Sequence, residues 1–380
     1  MPRITMISNF INHHQIPFCE EMYKQLGDGF KFIQTEPMEQ ERADMGWSVD
    51  ESSIPYLKLL YKEEEECKLL IDTCDMLLAG WQDREDLILP RIKKGGLTVR
   101  ISERIYREGQ WKAVSPKGLI RKYKEHIRFR NKNNVFLLCN GAYVASDFNL
   151  IGAYPERKFK FGYFPEFRSC DMTNKPSKDE IQFIWAGRFM ELKHPEYVVR
   201  LAADLLDMGY NFRIHFIGSG PMEESLKSSV KEGELEDNVF FYGFIKPEEV
   251  RKLMDTCHIH LFTSNYLEGW GAVVNEGMNS GLAEVVCREA GAAPYLIKDG
   301  ENGLLYDGSY EDFFKKVLLL MEDNSLIDRL GENAYNTIAS YWNPENAAKQ
   351  IIRFYNNYID NRIEPPEEGP LSVAEDIKPV

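Results

Sequence analysis

Along most of this 380-residue chain, short apolar runs alternate with longer polar stretches whose apolar residues fall three and four apart. The early runs are "RITMIS" (3–8), "GFKFIQ" (29–34), "CDMLLAG" (74–80) and "GLTVRIS" (96–102), and "NNVFLLC" (133–139) repeats the signal. Runs of this kind predict strands buried on both faces, and the stretches between them predict helices. In "QIPFCEEMYKQLG" (15–27), Ile16, Cys19 and Tyr23 share one helical face. The pattern lapses over "FGYFPEFRSCDMTNKPSKDE" (161–180), which carries two prolines and reads as a linker. It restarts with "IQFIWAGR" (181–188), a helix over 195–208, "NFRIHFIGSG" (211–220), "NVFFYGF" (238–244), "CHIHLFTS" (257–264) and "LAEVVC" (282–287).

Strand–helix alternation on both sides of a linker predicts an α/β protein of two Rossmann-like domains facing across a cleft. The expected boundaries are 1–165 and 166–345. The amphipathic stretch "NAAKQIIRFYNNYI" (346–359) is expected to be a helix that packs back on the first domain. The proline- and acid-rich residues 361–380 are expected to be disordered.

Composition narrows the function. An apolar fraction of 43% is ample for two cores, and a formal net charge of −14 argues against a general nucleic-acid binder. The seven cysteines include no C-x-x-C pair, so buried free thiols in a reducing compartment are expected. The N-terminus lacks the apolar core of a signal peptide, and no apolar run is long enough to span a membrane. A cytoplasmic protein is expected, with no metal and no cofactor.

Four loops carry candidate chemistry. In "WAGRFMELKHP" (185–195), Gly187, Arg188 and Lys193 put two cations and free backbone N–H groups at the mouth of a helix, a setting that suits a phosphate or diphosphate. "FIGSGPMEESL" (216–226) has Gly218 and Gly220 but Glu223 where a dinucleotide fingerprint needs its third glycine, so it reads as a tight strand–helix turn rather than an NAD site. "FFYGFIKPEEV" (240–250) offers Gly243, Phe244 and Ile245, a flat apolar edge that suits a nucleobase or an ordinary turn. The fourth, "LEGWGAVVNEGMNSG" (267–281), sets Glu268 and Glu276 around Gly269, Trp270, Gly271, Ala272 and Val273. Its glycines let backbone approach a ligand at a helix N-terminus, and carboxylates accept hydrogen bonds from vicinal diols.

In series these elements, G-R-x-x-x-x-K, I-G-x-G-P, V-x-F-x-G-F and E-G-W-G-x-x-x-x-E-G-M, resemble the retaining GT-B glycosyltransferases of family 4 (glycosyl transferases group 1) over roughly 181–345. The resemblance implies a nucleoside-diphosphate-sugar donor held in the second domain. Arg188, Lys193 and Glu268 would carry the chemistry, the two cations on the leaving diphosphate and Glu268 on the donor sugar. Gly187, Gly218 and the amides of Gly269 to Val273 would line the donor, Gly243 to Ile245 the base, and Glu276 the ribose. It also implies front-face attack with no protein nucleophile. The stretch "SGLAEVVCREAGAAPYLI" (280–297) departs from the family pattern, with Glu284 where proline is usual.

Two features lie outside the resemblance. Asn12, His13 and His14, after the first strand, are acceptor-side candidates that would orient a hydroxyl, move a proton, bind phosphate, or simply cap the next helix. Between Lys117 and Lys132, seven Lys or Arg face one acid, Glu125, with Leu119, Ile120, Tyr123, Ile127 and Phe129 interleaved. That segment suits an anionic membrane surface, a lipid-linked acceptor, or a solvated face. The expected activity is transfer to a glycan or lipid-linked hydroxyl in surface polysaccharide or glycoconjugate synthesis. A sugar-nucleotide epimerase or hydrolase, or a non-catalytic nucleotide-sugar binder, is the alternative.

Overall fold

Every residue of "ITMIS" (Ile4–Ser8) and of "VFLLCN" (Val135–Asn140) is buried, as the largely apolar runs predict for strands covered on both faces. The computed structural model describes residues 1–38, 49–172 and 175–379, so part of the expected linker, residues 173–174, lies outside the description. The chain folds as two units, Met1–Glu166 with Asn343–Pro379, and Phe167–Trp342.

The first unit holds seven parallel strands among the described residues. They are β1 (Ile4–Ser8), β2 (Phe30–Gln34), β3 (Leu57–Leu59), β4 (Met76–Ala79), β5 (Leu97–Ser102), β6 (Val135–Asn140) and β7 (Lys158–Phe161). Their order is β3-β2-β1-β4-β5-β6-β7, with Ile4 of β1 opposite Phe30 on one side and Met76 on the other. The order reverses between β1 and β4, which marks the ligand crevice of such sheets at their carboxyl ends. Helix Pro344–Ile359 belongs to this unit and packs its Phe354 edge-on against Phe136 at 5.0 Å.

The tail is ordered, contrary to the expectation of disorder over 361–380, of which residue 380 is outside the description. Leu371 and Ser372 are buried, and the segment pairs antiparallel with β7 through Leu371 N to Lys160 O and Lys160 N to Ser372 O, both at 2.8 Å. Composition argues only that a segment lacks its own core. Here an edge strand supplies unpaired backbone groups, and the tail covers them.

Among the described residues the second unit has six parallel strands, β8 (Ile181–Ala186), β9 (Phe212–Ile217), β10 (Val239–Phe241), β11 (Ile259–Phe262), β12 (Ala283–Cys287) and β13 (Leu304–Tyr306). They run in the order β10-β9-β8-β11-β12-β13, reversing between β8 and β11. One face packs Phe183, Phe212, Phe216, Val198 and Leu201 into the main core. A smaller cluster of Ile184, Ile217, Met254, Cys257 and Leu282 also takes in parts of Ile245 and Val273. The seven cysteines are free thiols, six of them buried and Cys170 half-buried. Among the described residues no helix is long and apolar enough to cross a membrane.

Candidate active site

The predicted loops of the second unit converge at the carboxyl ends of β8, β9, β10 and β11. After β8 the chain passes Gly187 and Arg188, makes a single 3₁₀ turn over Glu191–Lys193, and enters helix Pro195–Asp207 through His194 at φ 44°. The loop after β9 lies directly on this one. Phe189 N donates to Ser219 O at 3.0 Å, and a Cβ on Gly220 would sit 2.5 Å from Phe189 O. Gly218, at φ 122°, is tighter still, since a side chain there would overlap the Gly187 carbonyl. Gly218 N then donates to Gly243 O at 2.8 Å, which ties in the loop after β10. There Phe244 is 57% exposed, while Ile245 is anchored in the small cluster beside Val273.

Seventy-five residues separate Lys193 from Glu268, yet Lys193 Nζ and Glu268 Oε2 are 2.5 Å apart, each side chain only 18% exposed. The loop after β11 is stitched down to achieve this. Thr263 Oγ1 donates to Lys193 O at 2.5 Å and accepts from Trp185 Nε1 at 2.9 Å, and Asn265 N donates to Leu192 O at 2.8 Å. Arg188 is exposed on the same loop as Lys193.

Helix Ala272–Asn279 starts from Gly271 at φ 97°, and no side chain caps it. Its first N–H groups, at Ala272 and Val273, therefore face the loop with the positive end of the helix dipole. A Cβ on Gly271 would come 2.5 Å from the Phe262 ring, so glycine here is a packing requirement as well. The Trp270 side chain turns into the interior beneath this loop. It is 1% exposed, donates from Nε1 to Asn275 Oδ1 at 2.8 Å, and lies 5.8 Å from Trp342. A large indole with one donor is most stable buried with that donor satisfied, so it locks the loop from beneath.

Glu276, one turn into the helix, is partly buried. Burial raises its carboxyl above the ordinary value, and the nearby Arg251, His260 and Arg168 only partly counter this. Sequence reasoning missed those partners. Arg251 is 5% exposed and donates to Asn279 Oδ1 at 2.6 Å, and Asn279 also bonds the backbone N and O of Arg168. Asn279 lies three residues after Glu276, so helical spacing was the one available signal. Under the same helix His260 Nδ1 meets Glu284 Oε2 at 2.7 Å, both wholly buried, and Gly277 leaves room for that carboxylate. The unusual Glu284 is thus half of a buried pair.

The remaining candidates lie in the first unit. Asn12 opens the turn that precedes helix Ile16–Leu26: its Oδ1 accepts from His14 N at 3.0 Å and its carbonyl accepts from Gln15 N at 2.9 Å. The His13 and His14 rings are 3.8 Å apart. Burial, and then His13, push His14 down to about 3, and burial also lowers His13, so both imidazoles are neutral near pH 7. In helix Pro116–Glu125, Leu119, Ile120 and Tyr123 are exposed, but Lys122 is buried and does not contribute to the expected basic surface.

Residues 171–337 match the family model of glycosyl transferases group 1. An uncharacterized glycosyltransferase of Methanocaldococcus jannaschii is 26% identical over 185 residues, 48% of this chain and 47% of that protein. Alpha-D-kanosaminyltransferase of Streptomyces kanamyceticus is 24% identical over 192 residues, 50% of this chain and 49% of that protein. The chain thus spans about half the length of the curated relatives it matches. Among solved structures, HepE of Anabaena, in complex with UDP, superposes with a TM-score of 0.69 at 14% identity, covering 94% of this chain and 100% of that one. WaaG, a glycosyltransferase involved in lipopolysaccharide biosynthesis, gives 0.59 at 14% over 91% and 98%. These likenesses establish the fold: two Rossmann-like α/β units of the GT-B class.

Proposed function

We propose that the protein is a retaining glycosyltransferase of family 4, moving a sugar from a nucleoside diphosphate to a hydroxyl of a glycan or lipid-linked acceptor in polysaccharide or glycoconjugate synthesis. The observation that carries this reading is the Lys193–Glu268 pair beside glycine-built loops and an uncapped helix N-terminus. In this reading Lys193, Arg188 and the N–H groups of Ala272 and Val273 take the departing diphosphate, and Glu268 holds the donor sugar. Glu276 takes the ribose hydroxyls, and the Gly243–Ile245 edge borders the base. The acceptor oxygen attacks the anomeric carbon on the face the diphosphate leaves. The C–O bond to phosphate breaks, and the acceptor proton passes to a phosphate oxygen. Catalysis is then positioning plus stabilisation of the leaving charge.

The test is a panel of nucleotide sugars, UDP-sugars first, read by thermal stabilisation, which follows RT ln(1 + [L]/Kd). Transfer is then followed with the donor that stabilises. A flat response across the panel overturns the reading. Rapid epimerisation or hydrolysis of donor alone replaces it with the epimerase or hydrolase alternative. Retention is read from the anomeric configuration of the product.

Glu276 gives a pH prediction. Its ionised form accepts two ribose hydroxyls, so nucleotide affinity falls as pH drops through its pKa, which lies above the ordinary 4.5. Glu276→Gln should weaken nucleotide binding by about tenfold to a hundredfold at pH 7, the range for a charged hydrogen bond, and should flatten the acid limb. Calorimetric Kd values across that pH range check both.

The exposed Leu119, Ile120 and Tyr123, flanked by Lys117, Arg121 and Lys124, favour docking on an anionic membrane. At about 1 kcal/mol per cation near such a surface, replacing those three by glutamine should weaken binding to phosphatidylserine vesicles by roughly a hundredfold. Cosedimentation at low and high salt measures it. Equal binding by the variant, or no binding by either, removes the membrane from the reading.

A further inference from the structure

Helix Pro195–Asp207 is entered through a backbone conformation that the local sequence opposes. His194, directly before it, stands at φ 44° and ψ 50°. That left-handed region is costly for a residue with a side chain, and a residue preceding proline prefers extended backbone. The imidazole does not offset the cost by capping, since it makes no capping hydrogen bond to the first N–H groups of the helix.

The ring bridges two loops instead. Its Nδ1 lies 2.7 Å from Glu196 Oε1, and its Nε2 lies 3.2 Å from Nδ2 of Asn265, a residue 71 positions further along the chain. The Asn265 amide has one possible orientation, because its Oδ1 accepts from Leu267 N at 3.0 Å. Nδ2 is therefore the donor and Nε2 the acceptor, which leaves the ring proton on Nδ1, aimed at Glu196. The ring also stacks on Tyr197, with centroids 5.1 Å apart.

Asn265 carries this contact to the candidate chemistry. Its N–H donates to Leu192 O at 2.8 Å, next to Lys193, and its carbonyl accepts from Glu268 N at 3.0 Å. His194 follows Lys193 by one peptide bond. The imidazole–amide contact thus closes a ring of contacts, Lys193 to His194 to Asn265 to Glu268, whose ends meet again in the 2.5 Å ion pair. An ammonium on a flexible four-carbon stem keeps a fixed place only when the backbone beneath it and its partner are both held.

We infer that His194 is a positioning residue: through Asn265, its imidazole sets the spacing of the loops that hold Lys193 and Glu268. A left-handed residue other than glycine persists where its surroundings over-determine it, and such strain gathers at working sites. Glycine at this position would relieve the strain and lose the bridge. The inference rests on the glycosyltransferase reading, which gives Lys193 and Glu268 their work.

The test uses the full chain, the donor that the nucleotide-sugar panel identifies, steady-state transfer kinetics and calorimetric Tm. His194→Gly fits the backbone, so its Tm should stay within about 2 °C of wild type or rise. Its kcat should nonetheless fall about tenfold to a hundredfold, with donor KM within about threefold, as expected when a group acting on developing charge is misplaced. Asn265→Ala should lower kcat to the same extent. The double variant should be no slower than either single one, because ring and amide make one contact. Wild-type kcat in either single variant overturns the inference, as do multiplicative losses in the double variant. A fall in the Tm of His194→Gly by more than about 5 °C makes the residue structural and overturns it too. Absence of transfer by the wild type with every donor is the failure of the transferase reading, and the positioning role falls with it. Unchanged transfer in the variants, with an active wild type, is the failure of the positioning role alone.

Discussion

Lys193→Ala should lower kcat for transfer about 10²–10³-fold, the usual cost of removing one preorganised donor from a developing charge. The effect should fall on kcat more than on donor KM, because under the proposed function the lysine's contribution grows as negative charge accumulates on the departing diphosphate. The free protein holds the ammonium against Glu268 at 2.5 Å, so the position is fixed before substrate arrives. The substitution also leaves Glu268, only 18% exposed, without its cation. A Lys193→Ala/Glu268→Gln cycle separates the two contributions, since coupling between them belongs to the pair rather than to the diphosphate. A kcat within threefold of wild type would remove Lys193 from the chemistry.

Gly218→Ala should be the most damaging single-methyl change in the second unit. The new Cβ would overlap the Gly187 carbonyl, and φ of 122° is a conformation L-residues rarely adopt. Backbone strain and overpacking together cost about 3–5 kcal/mol. For a unit of this size that is a fall in Tm of roughly 10 °C. Any relief by separating the two loops moves Gly187 and Lys193, so nucleotide affinity should drop as well. Gly243→Ala is the internal control: φ is 64° and nothing lies within 4 Å of its Cβ, so about 1 kcal/mol is expected. Equal Tm values for the two variants, measured by calorimetry, would contradict the packing account.

The alternating runs were legible because a strand buried on both faces is largely apolar, as β4 is throughout and β6 is up to its final Asn140. The strands missed, β3, β7 and β13, are three or four residues long, and β3 lies half-exposed at the sheet edge. The glycines of the candidate donor loops were legible as a series, and at Gly218, Gly220 and Gly271 a side chain would collide with a neighbour. The role of Trp270 was not. A tryptophan between glycines reads equally as a ligand wall or a buried wedge, and only the position of Asn275 and Trp342 separates these.

By itself, the sequence determined the α/β class, the two sheets, and the loops that carry the candidate donor chemistry, because periodicity and glycine placement are local properties of the chain. The tertiary structure alone decided which charges meet. Lys193 finds Glu268, Arg251 reaches Asn279 one turn from Glu276, Glu284 is matched by His260, and the acid-rich tail pairs with β7. Each of these contacts joins residues remote in the chain, and its energy depends on separation and burial in space, neither of which is written in sequence spacing.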